Sequence, residues 1–247
     1  MLKVEGVCKT YKKGFWFGKA RQQVLHNISF EWKQGECLGI IGESGSGKST
    51  LGRLMLGIEK PDRGTVTFNG KPISDRSTRR GGISAVFQDY TSSINPFYTV
   101  KQAMLEPLRL VKTEPQMRDS TIELLLREVG LDASYLKKYP HELSGGQAQR
   151  VCIARAISTQ PACIVLDEAI SSLDGSNQMQ VLELLKSLKS IYDMGYIFIT
   201  HDIQAAAYLC DRIMIVRSGR IEELIETKYL NSVQTPYTRE LLKKVML

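Results

Sequence analysis

The run Gly42-Glu43-Ser44-Gly45-Ser46-Gly47-Lys48-Ser49-Thr50 follows a short, wholly apolar stretch, Cys37 to Ile41, and leads into Leu51, Leu54 and Met55 at helical spacing. A buried strand, a glycine-rich loop and a helix in that order form the phosphate-loop motif, Gly-x-x-x-x-Gly-Lys-Ser. The residue types follow from the chemistry. Glycines let backbone amides curl around phosphates, and the helix N-terminus adds donors and a favourable dipole. Gly42, Glu43, Ser44, Gly45, Ser46, Gly47, Lys48, Ser49 and Thr50 are thus expected to cradle a nucleoside triphosphate. Lys48 is assigned to its β- and γ-phosphates, and the Ser49 hydroxyl to Mg²⁺. The loop alone does not choose among GTPases, kinases, helicases and other nucleotidases.

Four further apolar runs, Ile83 to Phe87, Cys163 to Leu166, Tyr196 to Ile199 and Ile213 to Val216, are continuous rather than alternating. Strands buried on both faces read this way, and helical patterns between them imply crossovers, so the fold class is α/β. Val24 to Trp32 and Thr65 to Phe68 alternate more, and the turn pair Asn69-Gly70 follows, which predicts an antiparallel patch beside the parallel sheet. Ser120-x-x-Glu123 predicts a helix start, with Ile122, Leu125, Leu126 and Val129 on one face and Gly130 closing it. A second amphipathic helix is predicted near Gln178 to Tyr192. No repeat or long linker divides the 247 residues.

The balance of 33 Lys and Arg against 26 Asp and Glu gives a formal charge of +7, which invites a nucleic-acid reading. The basic residues are, however, spread along the chain. Their densest part, Lys9 to Arg21, interleaves Phe15, Trp16 and Phe17, and is read as a basic hairpin near a phosphate site or anionic lipid, with no nucleic-acid partner expected. Five cysteines, with no Cys-x-x-Cys pair, lean towards a reducing compartment and against structural zinc. No apolar run approaches the roughly 18 residues that span a bilayer, and the first twenty residues lack a signal-peptide core. The expectation is a cytosolic chain that serves a membrane, if at all, through partners.

Leu143-Ser144-Gly145-Gly146-Gln147 lies between the mid-chain helices, and Asp167-Glu168 ends the apolar run at Cys163. With the phosphate loop, these residues resemble the ATP-binding subunits of ABC transporters, whose signature is that pentapeptide and whose Walker B strand ends in Asp-Glu. Other positions fall in the family's order: Tyr11 for the adenine-stacking aromatic, Gln88 for the Q-loop, Ser172-Leu173-Asp174 for the D-loop and His201 for the switch histidine. The resemblance covers nearly the whole chain and implies one nucleotide-binding domain, 1–247. Its mixed sheet and antiparallel patch form a catalytic lobe (1–87 and 159–247), and a helical signature lobe is inserted at 88–158.

The resemblance also implies the division of labour. Asp167, Ser49 and Gln88 are implied ligands of Mg²⁺. Glu168 would deprotonate the attacking water, His201 would contact the γ-phosphate, and Gln88 would report occupancy to a membrane partner. Ser144, Gly145, Gly146, Gln147 and Asp174 would complete the site of a second ATPase subunit, in a head-to-tail dimer closed by ATP. Ala169 and Ile170 stand where the family usually has Pro and Thr, and Ala148 where a basic residue is common. These departures keep open a regulatory chain that binds ATP without turning it over.

Gln88-Asp89-Tyr90, then Ser93-Ile94-Asn95-Pro96, Glu106-Pro107-Leu108 and Pro236-Tyr237-Thr238 resemble the branch serving oligopeptide, dipeptide and nickel importers. The short C-terminus is more like that of the nickel or metal-chelate systems. The partners implied are a second, different ATPase subunit, two transmembrane permeases and, through them, an external solute-binding protein. The place implied is the cytoplasmic face of the membrane, with a coupling helix received near Tyr90 to Leu110. The competing expectation is a soluble ABC ATPase that remodels a protein or nucleic-acid assembly.

Overall fold

The computed structural model describes residues 1–13, 20–89, 93–111, 114–171 and 173–243. They form two compact units, Met1–Arg79 with Tyr196–Leu247, and Arg80–Gly195. In the first unit β1 (Leu2–Lys13) pairs antiparallel with both β2 (Ala20–Trp32) and β4 (Arg63–Phe68). The Asn69-Gly70 turn, with both residues at positive φ, returns the chain to the two-residue strand β5 (Lys71–Pro72). This is the antiparallel patch that the alternating pattern predicts.

Beside it runs the parallel element. β3 (Cys37–Ile41) lies between β8 (Gly195–Thr200) and β9 (Arg212–Arg217), parallel to both, and β10 (Arg220–Glu226) closes on β9 as a hairpin. All five residues of β3 are buried, which is why the run has no alternation. Trp32 is fully buried, and its indole N–H donates to the Glu36 carbonyl at 2.9 Å and the Tyr196 carbonyl at 3.2 Å. The first unit also holds α1 (Lys48–Met55), α2 (Arg76–Arg79), α7 (Ile203–Leu209) and α8 (Pro236–Lys243).

The second unit pairs β6 (Ile83–Phe87) parallel with β7 (Cys163–Asp167). It carries α3 (Val100–Leu110), α4 (Arg118–Glu128), α5 (Gly145–Ile157) and α6 (Gly175–Tyr192). This division is wider than the lobe at 88–158, because β6, β7 and α6 group with the helices around them. On α6, Val181, Leu182, Leu185 and Leu188 form the buried face.

One boundary differs from expectation. α4 starts at Arg118, two residues before Ser120, and the Ser120 hydroxyl donates back to the Met117 carbonyl at 2.9 Å instead of capping. Ser hydroxyls compete for nearby backbone in both ways, and sequence alone does not separate them. Gly130 does close the segment, at φ 74.

Candidate active site

The phosphate loop joins β3 to α1. Its last glycine, Gly47, is the N-cap of α1 at φ 104. A Cβ there would approach the Leu25 Cδ2 to 2.8 Å and the Val24 carbonyl to 3.0 Å, so only glycine fits against β2. At the loop's start a Cβ on Gly42 would stand 2.1 Å from the Val216 carbonyl. From the far side the β9–β10 turn bonds the loop, the Gly219 N–H donating to the Ser46 carbonyl at 2.9 Å. The loop is thus held by β2, β9 and the hairpin turn, none of which its own sequence specifies.

Glu43, Ser44 and Gly45 are exposed, whereas Ser46, Gly47 and Lys48 are buried. The Lys48 ammonium donates to the Gly42 carbonyl at 2.8 Å and the Glu43 carbonyl at 3.0 Å. The Ser46 hydroxyl is buried and lacks a hydrogen-bond partner, which costs roughly 1–3 kcal/mol unless a ligand supplies one. A buried cation, an orphaned hydroxyl and a helix N-terminus form a donor set suited to phosphate oxygens. Ser49 is half-buried and Thr50 buried on the first turn of α1.

Tyr11 lies in the same unit, two residues along β1 from Lys9, which pairs with Leu25. Its hydroxyl donates to the Glu59 Oε2 at 2.6 Å. The other Glu59 oxygen accepts from the Arg53 Nε at 2.7 Å, and the Lys9 ammonium is 3.3 Å from Oε2. Burial pushes the Glu59 carboxyl up, and hydrogen bonds from Tyr11, Arg53 and Lys9 outweigh it, leaving the group below its ordinary value. No pattern in the sequence marks Glu59, which is brought to Tyr11 from 48 residues away. His201, also in this unit, is exposed between β8 and the Asp202 cap of α7.

The second unit carries the remaining candidates. Asp167 is buried at the end of β7, and Glu168 follows half-buried at φ 51. A left-handed backbone at a non-glycine residue costs roughly 1–3 kcal/mol and persists only where its surroundings enforce it. Here the Ser171 hydroxyl and N–H both donate to the Glu168 carbonyl, at 2.8 and 3.2 Å, and Ala169 and Ile170 are buried beneath the turn. The turn after Glu168 therefore closes without the proline of the usual pattern.

The signature doubles as a capping box. The Ser144 hydroxyl accepts from the Gln147 N–H at 3.3 Å, and the Gln147 Oε1 accepts from the Ser144 N–H at 3.0 Å. Ser-x-x-Gln at these positions is legible as a helix start. The first two residues of α5 are Gly145 and Gly146, and a Cβ on Gly146 would lie 3.7 Å from the Asn177 Oδ1. Asp174 caps α6, accepting from the Asn177 N–H at 3.0 Å, and that backbone bond foremost keeps its carboxyl below the usual range. Ala148 is buried in α5, at 2% exposure, where a basic side chain would lose its solvent. Gln88 is exposed just beyond β6. Ser172, Tyr90, Phe15, Trp16 and Phe17 lie outside the described residues.

The same unit has a groove of about 610 Å³ between β6, α3 and α5, lined among others by Phe87, Glu106, Leu110, Cys152 and Arg155. Arg155 spans it, donating to Glu106 Oε2 at 2.8 Å and the Ser93 carbonyl at 2.7 Å. Nearby in sequence, Phe97 is 84% exposed. Burial pushes the Cys152 thiol up to about 12. At pH 8.5 its thiolate fraction is then on the order of 10³-fold below that of a free cysteine, and iodoacetamide should modify it correspondingly slowly. Mass spectrometry of the timed reaction checks this; labelling at the free-cysteine rate would contradict it. Among the described residues no helix is long and apolar enough to cross a membrane.

Residues 25–171 match the family model described as ABC transporter. The chain is 50% identical over 245 residues to the metal-staphylopine import system ATP-binding protein CntF of Staphylococcus aureus, covering 99% of this chain and 98% of that protein. It is 41% identical over 233 residues to the nickel import ATP-binding protein NikE of Escherichia coli, covering 90% and 86%. Among solved structures it resembles the ATP-binding cassette MJ0796 in a dimeric post-hydrolysis state with ADP and Pi. That match has a TM-score of 0.82 at 30% identity, over 92% of this chain and 99% of that one.

Proposed function

The chain belongs to the ABC transporter family, and from that premise we propose that it is the ATP-hydrolysing energy subunit of an importer for nickel or other metal chelates, with oligopeptides as the related cargo class. The observation that carries this is similarity at 50% identity, over 99% of this chain, to the ATP-binding protein of a metal-staphylopine import system. That similarity extends beyond the nucleotide motifs that all such ATPases share.

In this reading the loop amides and Lys48 bind the β- and γ-phosphates, and the orphaned Ser46 hydroxyl gains its partner there. Mg²⁺ held by Ser49 and Asp167, with Gln88, would neutralise charge developing on the phosphate oxygens. Glu168 takes the proton of the attacking water, and His201 stabilises the γ-phosphate. Ser144 and Gly146 act on the nucleotide of a second, different ATPase subunit arranged head to tail, with Asp174 at the same junction. ATP then favours the closed dimer through contacts that hydrolysis removes. The chain would sit peripherally on the cytoplasmic face of the membrane, bound to two permeases that receive cargo from an external solute-binding protein.

The groove between β6, α3 and α5 supports a docking place for a permease coupling helix, and Phe97, exposed and four residues along the chain from Ser93 of the groove lining, is a candidate apolar anchor. Phe97→Ser should lower coupled transport by about tenfold or more while basal ATPase stays within about twofold. Parallel loss of both activities would remove this surface from the coupling path. For the function itself, uptake is measured in a strain lacking the gene, with nickel, other chelated metals and a peptide mixture. Loss of chelated-metal uptake, restored by the gene, is the expected result. Loss of peptide uptake alone would reassign the cargo, and no transport defect with co-purification of a soluble assembly would overturn the importer reading.

A further inference from the structure

We infer that Glu59 is a positioning residue for the nucleotide base, fixing through the Tyr11 hydroxyl the plane of the ring on which that base stacks. This rests on the reading of Tyr11 as the stacking aromatic. Glu59 itself belongs to none of the motifs that carry the resemblance.

The geometry supplies the argument. Tyr11 is half-buried on β1, and its hydroxyl, at the far end of the ring, donates to Glu59 at 2.6 Å and also lies within hydrogen-bonding reach of Arg53. Glu59 is in turn fixed through its second oxygen by Arg53, at 2.7 Å. Arg53 lies on the last turn of α1, whose first turn carries Lys48 and Ser49. One eight-residue helix thus bears the phosphate-binding residues at its start and, through Arg53 and Glu59, the base platform at its end. Sites held on one rigid element keep their spacing better than sites on independent loops. Lys9 stands over the ring, with its ammonium 5.5 Å from the centroid and held by the Lys60 carbonyl at 2.7 Å. In this inference the base stacks on the opposite face.

Freezing the ring before binding removes an ordering cost that the nucleotide would otherwise bear. Losing that pre-organisation should weaken ATP binding by roughly three- to tenfold, raise KM by the same factor and leave kcat unchanged. A ligand with phosphates and no base should not notice.

The test compares Mg-ATP with Mg-tripolyphosphate on the full chain, by calorimetry, for Glu59→Ala, Glu59→Gln, Tyr11→Phe, Tyr11→Ala and the Tyr11→Phe/Glu59→Ala pair. Glu59→Ala and Tyr11→Phe should each weaken ATP alone, and the pair should be no worse than either single change. Glu59→Gln, which keeps an acceptor, should recover part of the loss. Tyr11→Phe leaves Glu59 paired with Arg53 and Lys9, so it answers the question even where Glu59→Ala folds poorly. Equal weakening of tripolyphosphate, or additive effects in the pair, would overturn the inference. Tyr11→Ala weakening ATP while Glu59→Ala and Tyr11→Phe do not would overturn the positioning role and leave base stacking intact. Tyr11→Ala without effect on ATP would overturn the stacking reading, and this inference with it.

Discussion

Replacing Glu168 with Gln should lower single-turnover ATP hydrolysis by roughly 10²- to 10⁴-fold, the usual worth of a positioned general base, while ATP still binds. The change removes proton-accepting ability and little volume. The strained backbone at φ 51 is held by Ser171, through bonds to the main-chain carbonyl that the side-chain change does not touch. Fold and turn should therefore survive. The ATP-bound dimer should persist on size-exclusion chromatography, since the event that releases it is blocked. Hydrolysis within about threefold of the unaltered chain would remove Glu168 as the base. The same assay on the unaltered chain decides against a non-hydrolysing regulatory role if it turns ATP over.

Lys48→Ala is the second large effect, and it acts on binding. The ammonium is buried and anchored on the Gly42 and Glu43 carbonyls, in the loop itself. Charge-assisted hydrogen bonds contribute about 1.5–3 kcal/mol each. Losing the cation should weaken ATP by on the order of 10²-fold and weaken tripolyphosphate as much, because the contact is to phosphate. This contrasts with the changes at Glu59, which spare tripolyphosphate. Calorimetric affinities within about threefold of the unaltered chain would show that the loop amides suffice without Lys48. Thermal melts of the nucleotide-free protein separate a binding defect from a collapsed loop, whose two carbonyls lose their donor in the variant.

Much of this site was legible because its signals are local. A phosphate loop works through consecutive amides, glycines and the start of the next helix, so nine adjacent residues carry the chemistry. The capping box at Ser144 and Gln147 was equally readable, although the resemblance drew attention to the signature as a ligand for a second subunit. Ser120 shows the limit of such patterns. Ser-x-x-Glu is the same string whether the hydroxyl caps a helix or donates back to it, and the surrounding packing chooses. Ala169 and Ile170 are a second case: the string lacks the usual proline, and the turn closes through the Ser171 bonds to the Glu168 carbonyl over two buried side chains.

The α/β class, the phosphate loop, the signature and the terminal Asp-Glu pair follow from sequence alone, since burial on both faces and short-range turn chemistry leave their mark on contiguous residues. Tertiary structure decided what depends on residues far apart in the chain. Glu59 and Arg53 tether Tyr11; β2 and Val216 confine Gly47 and Gly42 of the loop to glycine; and Ser46 is buried without a partner. The physical reason is the same in each case. A contact between distant residues is made by packing, which the local pattern at either end does not encode.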